Sequence, residues 1–455
     1  MTEARKMAEF IVAASWEDLS QEAREDLKLR VVDSLGCAIG AMDGEPIRFI
    51  RNQIDDFGGN GLCSIIGGGR TAPDRAAFLN SALVRYLDYN DSYLAKKETC
   101  HPSDNLGAVL AAAEYGGKSG REFLTALAVA YQVQCRLSDE APVRARGFDH
   151  TVQGSYAAAA GVSRALGLDR EQTANALAIS GTAFNALRVT RTGALSHWKG
   201  LAYPNTAFGA THAAFLAMRG ITGPAEVFEG NKGFKEAIAG EFAIDWRRED
   251  LERVRRTIVK RYNAEIHSQS AIEGLLELRD EHRFDPGRIE GIELETFDVA
   301  FHIIGGGEEG DKTIVRTKEE ADHSLHYLLA VALLDGTVMP EQYEPARIGR
   351  RDVQDLLRLI RVREAADLSR RFPAEMPCRL RVRLRDGQVL EKEKRDYQGF
   401  FTRPATWESA TAKFESLTRD YLDPSMSQEI VGMVRILETL QVAELTTLLS
   451  GVQKP

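Results

Sequence analysis

The sequence predicts a mainly α protein: a large all-helical domain built from both chain ends, with an α+β lid domain inserted between them. Three observations carry this. Residues 1–257 read as one helix after another, with apolar positions recurring at the i, i+3, i+4 spacing of an amphipathic helix. Alternation of apolar and polar residues, the mark of a half-buried strand, gathers only within residues 258–396. From 397 to 455 the helical period returns, and so short a tail makes a thin core unless it rejoins the first domain. The length of 455 residues also exceeds the ~250–300 at which single cores stop growing.

The elements follow in chain order. "EDLKLRVVDSLGCAIGAM" sets Leu27, Val31, Val32, Leu35 and Ile39 on one helical face. Gly116-Gly117 stops a helix, and Ser119 with Glu122 has the spacing of a capping box at the start of the next. Asp169 is an expected N-cap and Gly181 an expected stop. "SYAAAAGVSRALG" and "NTAFGATHAAFLAMRG" are Ala- and Gly-rich; such small residues let backbones approach, so internal helices are expected. No strand is expected before residue 257. Beyond it, residues 291–297 alternate as a strand. Leu380, Val382 and Leu384 alternate with arginines ahead of Asp386-Gly387, a pair suited to a tight hairpin. "DHSLHYLLAVALLDG" and "DVQDLLRLIRV" are both helical in period.

Composition excludes several functions. A net charge of −9 and a pI near 5.7 argue against nucleic acid or an anionic membrane as the main partner. No stretch reaches the ~18 apolar residues of a membrane helix, and the N-terminal apolar patch is too short for a signal-peptide core. Five cysteines are scattered without a C-x-x-C pair, against a disulfide framework or a local metal motif. A reducing, cytoplasmic compartment is expected. The runs "IIGGGR" and "IIGGGEEG" fit no phosphate-binding or dinucleotide fingerprint, and the histidines are far apart in sequence. No cofactor and no metal are expected.

The chemistry concentrates elsewhere. "DYNDSYLAKKETCHPSDNLG" sets Asp88, Asp91 and Ser92 shortly before His101, which Pro102 pushes out of helix. One helical turn would put Asp88 and Asp91 on one face, where they could orient an imidazole or hold substrate hydroxyls; helix capping by Asp91 and Ser92 is the structural alternative. His150 stands in a polar turn before an Ala-rich helix. Lys199 opens a small-residue helix, where an ammonium is costly unless it meets an anion. "IVKRYNAEIHSQSAIEG" groups Lys260, Arg261, His267 and Gln269 at the domain junction, where clefts form. Tyr327, in "DHSLHY", reads from the residues alone first as a core tyrosine.

At these residues the chain resembles the MmgE/PrpD family, which includes 2-methylcitrate dehydratases, cis-aconitate decarboxylases and iminodisuccinate epimerases. The carriers are "VVDSLGCAIGA", "DYNDSYL" with "HPSDNLGAVLAAAE", "KRYNAEIHSQSAIEG" and "DHSLHYLLAVALLDG". The resemblance implies a homodimer with its site in a cleft, working on a small polycarboxylate without metal or organic cofactor. By motif it makes Asp88, Asp91, His101, His150, Lys199 and Tyr327 catalytic candidates, with Ser92 and Lys260 in the same site. Arg261, His267 and Gln269 join them as substrate-binding candidates from the junction. "AEIHSQSA" looks like the methylcitrate dehydratase branch, since decarboxylases tend to have histidine where Glu265 stands. Asn263 stands where proline is common, and "AKKETC" lengthens the loop before His101 relative to decarboxylase-like members.

The expected reaction is a dehydration. A base, preferably His101, removes a C–H proton beside a carboxylate while Lys199, Lys260 and Arg261 clamp the substrate carboxylates. His150, His267 and Tyr327 stay open as the second proton-transfer group. Epimerisation of an amino- or imino-diacid, decarboxylation and a non-catalytic scaffold are the alternatives.

Overall fold

The computed structural model describes residues 1–453. Helix dominates, 59% against 9% strand, and the chain divides into two compact units. The first comprises Met1–Thr190, Gly200–Val259 and the chain from Thr406 onward; the second comprises Arg191–Lys199 and Lys260–Ala405.

In the first unit the helix Gln21–Gly40 is buried along most of its length. It packs against Trp407–Thr418, the first helix of the C-terminal segment. Gly36 permits this close approach: a Cβ there would stand 3.2 Å from the Phe414 Cα. A buried ion pair, Lys413 to Asp33 at 2.6 Å, locks the contact. The Ser119–Glu122 capping box forms at the head of the helix Gly120–Glu140, and Asp169 caps Arg170–Ala183. Gly181 does not stop that helix, which runs on to Ala183. Its role is proximity instead, since a Cβ would lie 2.3 Å from the Tyr156 ring.

Two short ladders occur where no strand was expected: β1 (Cys63–Ser64) with β2 (Arg70–Thr71), and β3 (Tyr93–Leu94) with β4 (Thr99–Cys100). Each is two residues long, too short to leave an alternating pattern. The "IIGGGR" run is the turn between the first pair, and "AKKE" is the tip of the second.

The second unit holds a four-stranded sheet in the order β6-β5-β7-β8: β5 (Ile289–Thr296), β6 (Ile360–Glu364), β7 (Cys378–Leu384) and β8 (Val389–Lys394). β5 runs parallel to β6 and antiparallel to β7. The β7–β8 hairpin turns at Asp386-Gly387, with Gly387 at φ +89°. Ile292, Leu294, Leu380 and Val382 face the core, against the helices Gln269–His282 and Leu325–Asp335. "DVQDLLRLIRV" is only half helix: Arg351–Leu357 is helical and Ile360 starts β6. Ile360 continues the helical spacing of Val353, Leu356 and Leu357, and the open edge of β5 supplies the hydrogen bonds that decide for strand.

Glu273, buried on Gln269–His282, gathers Lys394 (2.8 Å), Arg403 (2.9 Å) and Arg261 (2.7 Å). Burial pushes its carboxyl up, but the Lys394 and Arg403 hydrogen bonds and the Gln398 N–H hold it down at about 2. Glu273→Gln is expected to cost about 1–2 kcal/mol in urea unfolding at neutral pH, a figure reduced for the half-exposed arginines. Because the folded value lies below the ordinary 4.5, the difference is full above that pH and fades as pH falls through about 2. An unchanged midpoint at neutral pH would show that these ion pairs hold nothing together.

Candidate active site

The first group lies in the helical unit. The helix Pro73–Tyr86 ends just before Asp88, which adopts a left-handed conformation at φ +55°. Asp88 and Asp91 therefore do not share a helical face, and neither Asp91 nor Ser92 caps a helix. Asp88 accepts from Arg85 at 2.5 Å. Asn90 donates to Ser103 and Asp104, both at 2.8 Å. Asp91 is fully committed: Oδ1 accepts from the Ser103 hydroxyl at 2.6 Å and its N–H at 3.1 Å, and Oδ2 from Tyr131 at 2.8 Å. Burial raises its carboxyl while the Ser103 and Tyr131 hydrogen bonds oppose the rise. Asp91 is thus a post that fixes the loop.

That loop sets the histidine. His101 has non-helical backbone, φ −125° and ψ 87°, before the turn Pro102–Asn105. Its Nδ1 lies 2.8 Å from the Asp91 carbonyl oxygen and 3.0 Å from Ser92 Oγ. A carbonyl only accepts, so Nδ1 carries the proton and the neutral ring has its lone pair on Nε2. Ser92 is itself pinned by paired backbone hydrogen bonds with Ile258, 2.9 and 2.8 Å. The His150 ring stands 5.5 Å from the His101 ring, at the start of Thr151–Leu166, with its Nδ1 3.4 Å from Asp149.

Glu98 joins the two histidine-bearing segments. From the β3–β4 hairpin it reaches the stretch ahead of His150, accepting from the Val143 and Arg144 N–H groups at 3.1 Å each. Burial raises its carboxyl against those bonds. Glu98→Ala orphans both donors and is expected to cost about 1–3 kcal/mol in thermal unfolding. Glu98→Gln keeps an acceptor oxygen and should restore most of that. Equal losses in the two variants would assign the effect to charge instead.

The second group lies in the α+β unit. Lys199 is buried and donates to Asp322 at 2.6 Å. Asp322 also holds Lys318 at 2.8 Å and His323 Nδ1 at 2.7 Å. Burial would raise its carboxyl, but Lys199, Lys318 and His323 hold it far below the usual range. The Asp322 carbonyl accepts from the Glu265 N–H at 3.1 Å. Glu265 in turn accepts from His267 Nδ1 at 2.6 Å and from the His267 N–H at 2.7 Å, so Nδ1 of that ring carries a proton. The rings of Phe297 and Phe372 lie against it, each with its centroid 5.7 Å away. Burial pushes Glu265 up, and His267, His323 and Lys260 bring it below its ordinary value. Lys260 is wholly buried. Lys312 is lowered by burial, against the pull of Glu309 and Asp322 and with the Lys199 charge adding to the lowering.

Three other candidates are occupied elsewhere in this unit. Arg261 pairs with Glu273 at 2.7 Å and is half-exposed. Gln269 accepts from the Arg261 and Tyr262 N–H groups and donates to the Tyr262 and Ala264 carbonyls, stapling the backbone beside Lys260. Tyr327 is a core residue whose hydroxyl donates to the Gln342 carbonyl. Asp322, His323 and Lys312 were not singled out from the sequence. The i, i+4 spacing of Lys318 and Asp322 was the one available signal. Among the described residues, neither unit by itself gathers three His, Cys, Asp or Glu ligand atoms in one place. No helix of the described residues is long and apolar enough to cross a membrane.

Residues 5–247 match the model of the MmgE/PrpD N-terminal domain, and residues 262–439 that of the C-terminal domain. The 2-methylcitrate dehydratase of Escherichia coli (strain K12) is 27% identical over 352 residues, 72% of this chain and 71% of the relative. That of Cupriavidus necator is 30% identical over 351 residues, 71% and 70% of the two chains. The cis-aconitate decarboxylase of Mus musculus is 25% identical over 452 residues, 93% and 88%. Fold, buried histidines and relatives together define an enzyme of lyase type. The chain belongs to the MmgE/PrpD family.

Proposed function

We propose that the chain is a hydro-lyase acting without a metal on a hydroxy-tricarboxylate, with 2-methylcitrate, converted to 2-methyl-cis-aconitate and water, as the first candidate. The observation that carries this reading is the buried, lysine-rich cluster around Asp322 in the second unit. Lys199, Lys260, Lys312 and Lys318 stand against Asp322, Glu265 and Glu309, a balance that favours polyanions. Relatives named 2-methylcitrate dehydratase, at 27–30% identity, support the substrate class.

In this mechanism His101 Nε2 takes the proton from the carbon beside a carboxylate. The electron pair left on that carbon forms the new double bond as the C–O bond breaks, and hydroxide leaves as water with a proton from His150. Lys260 offsets the charge that builds on the carboxylate. Lys199, held by Asp322, orients the cluster instead of clamping substrate, and Arg261 has no part in it.

A decarboxylase reading is favoured by one observation: the match to cis-aconitate decarboxylase covers 93% of this chain. A panel of di- and tricarboxylates decides, followed by ultraviolet absorbance and by proton NMR in deuterated water. Dehydration yields a conjugated alkene with all carbons retained; decarboxylation releases carbon dioxide. Solvent deuterium incorporation with neither product would sink both and leave epimerisation.

A further inference from the structure

The outer face of the sheet in the α+β unit carries charged rows across its strands. In one row Arg363, Glu295, Arg379 and Glu393 are successive partners, and in the next Arg361, Glu293, Arg381 and Glu391. Cations and anions alternate in both, as cross-strand pairing favours. The third row breaks the pattern. Arg383 has Gly291 on one side and Val389 on the other, so neither neighbour offers a carboxylate.

The second row is also short of one anion. Glu293 pairs with Arg363 at 3.0 Å and not with its register partner Arg361. Arg381 is met by Glu391 at 3.2 Å, and Arg358 by Asp355 at 3.5 Å. Among the described residues no carboxylate lies within ion-pair distance of Arg361 or Arg383. Both line a hollow of about 230 Å³ together with Arg358, Arg381, Glu290 and Glu293. Four guanidinium groups from two strands and a helix end therefore border one concavity, two of them without an anion. Glu290 is the opposing charge that any ligand must avoid.

We propose that this hollow is an accessory binding site for a compact oxyanion carrying two or more negative charges, a phosphate ester or a small polycarboxylate. Guanidinium forks match both groups bidentately. The volume lies below the ~300–1,000 Å³ of pockets for drug-sized ligands, which selects a small anion over a dinucleotide. The site uses none of the residues assigned to the reaction, so its test stands apart from the proposed chemistry.

The test is calorimetric titration of the full chain at low ionic strength, where exposed charges are least screened. Pyrophosphate is the probe in one arm and tricarballylate in the other. The Arg361→Gln/Arg383→Gln double variant should bind the preferred anion at least about tenfold more weakly, given charge-assisted contacts to both arginines. Arg48→Gln, the loss of one such charge at an exposed position in the other unit, should leave it unchanged. Gly291→Glu is the sharper probe. It supplies the missing carboxylate, and a Cβ at Gly291 meets only the Leu359 carbonyl oxygen, at an ordinary 3.7 Å. That variant should lose the binding with every arginine in place. A response confined to pyrophosphate assigns a phosphate ligand, and one confined to tricarballylate a carboxylate. No binding of either anion by the parent protein, equal weakening in Arg48→Gln, or undiminished binding in Gly291→Glu would each overturn the site.

Discussion

Replacing His101 with alanine is expected to lower turnover by about 10²–10⁴-fold, the usual contribution of a positioned acid or base, with the helical unit still folded. Nδ1 is fixed by the Asp91 carbonyl and Ser92 Oγ, and proton transfer is assigned to Nε2. Its removal deletes no core contact on the scale of a buried aliphatic residue, so circular dichroism and the unfolding midpoint should move little. The loss should fall on kcat more than on KM, because a base acts in the transition state. Ser92→Ala removes one of the two contacts to Nδ1 and should give a smaller loss in the same parameter. A folded His101→Ala protein with undiminished kcat would remove His101 from the mechanism and leave His150 or His267 as the base.

The second large effect is on stability. Asp322→Asn is expected to destabilise the protein by about 3–5 kcal/mol, the cost of removing one partner from a buried ion pair. Asp322 is inaccessible and anchors Lys199, Lys318 and His323; the amide would leave ammonium groups buried without their counter-charge. The folded carboxyl is depressed below its ordinary 3.8, so its stabilisation is complete above that pH and is lost only as pH falls toward the much lower folded value. The deficit of Asp322→Asn should accordingly stay constant across the neutral range in chemical denaturation. Lys199→Met/Asp322→Asn should be less damaged than the two single changes summed, because the pair is coupled. If Asp322→Asn proves as stable as the parent, the ion pair does not hold Lys199, and Lys199 returns as a substrate clamp.

Much of the fold is legible in the residues. The capping box at Ser119 and the N-cap at Asp169 lie within four residues of the backbone groups they satisfy, and such local hydrogen bonds are written directly in spacing. The β7–β8 hairpin is equally local, since Asp-Gly and strict alternation specify both turn and register. β6 was not legible, because Ile360 continues the helical spacing of Val353, Leu356 and Leu357 until the edge of β5 is known. Gly181 misled for a related reason: a glycine inside a helix marks a stop or a close neighbour, and only the Tyr156 ring decides which.

The site divides in the same way. The sequence by itself determined the helical class, the strand hairpin and the richness in ionisable groups of the loop around His101 and the segment after Lys260. It also determined that a lysine at position 199 would need an anion. Tertiary structure alone decided that this anion is Asp322, 123 residues away, that Arg261 belongs to Glu273, that Tyr327 is spent in the core, and that the His101 proton sits on Nδ1. The physical reason is range. Periodicity and capping report which way a side chain faces over one or two turns, whereas the partner of a charge is whichever opposite charge the folded chain brings within a few ångströms, and the interval of sequence between them carries no record of it.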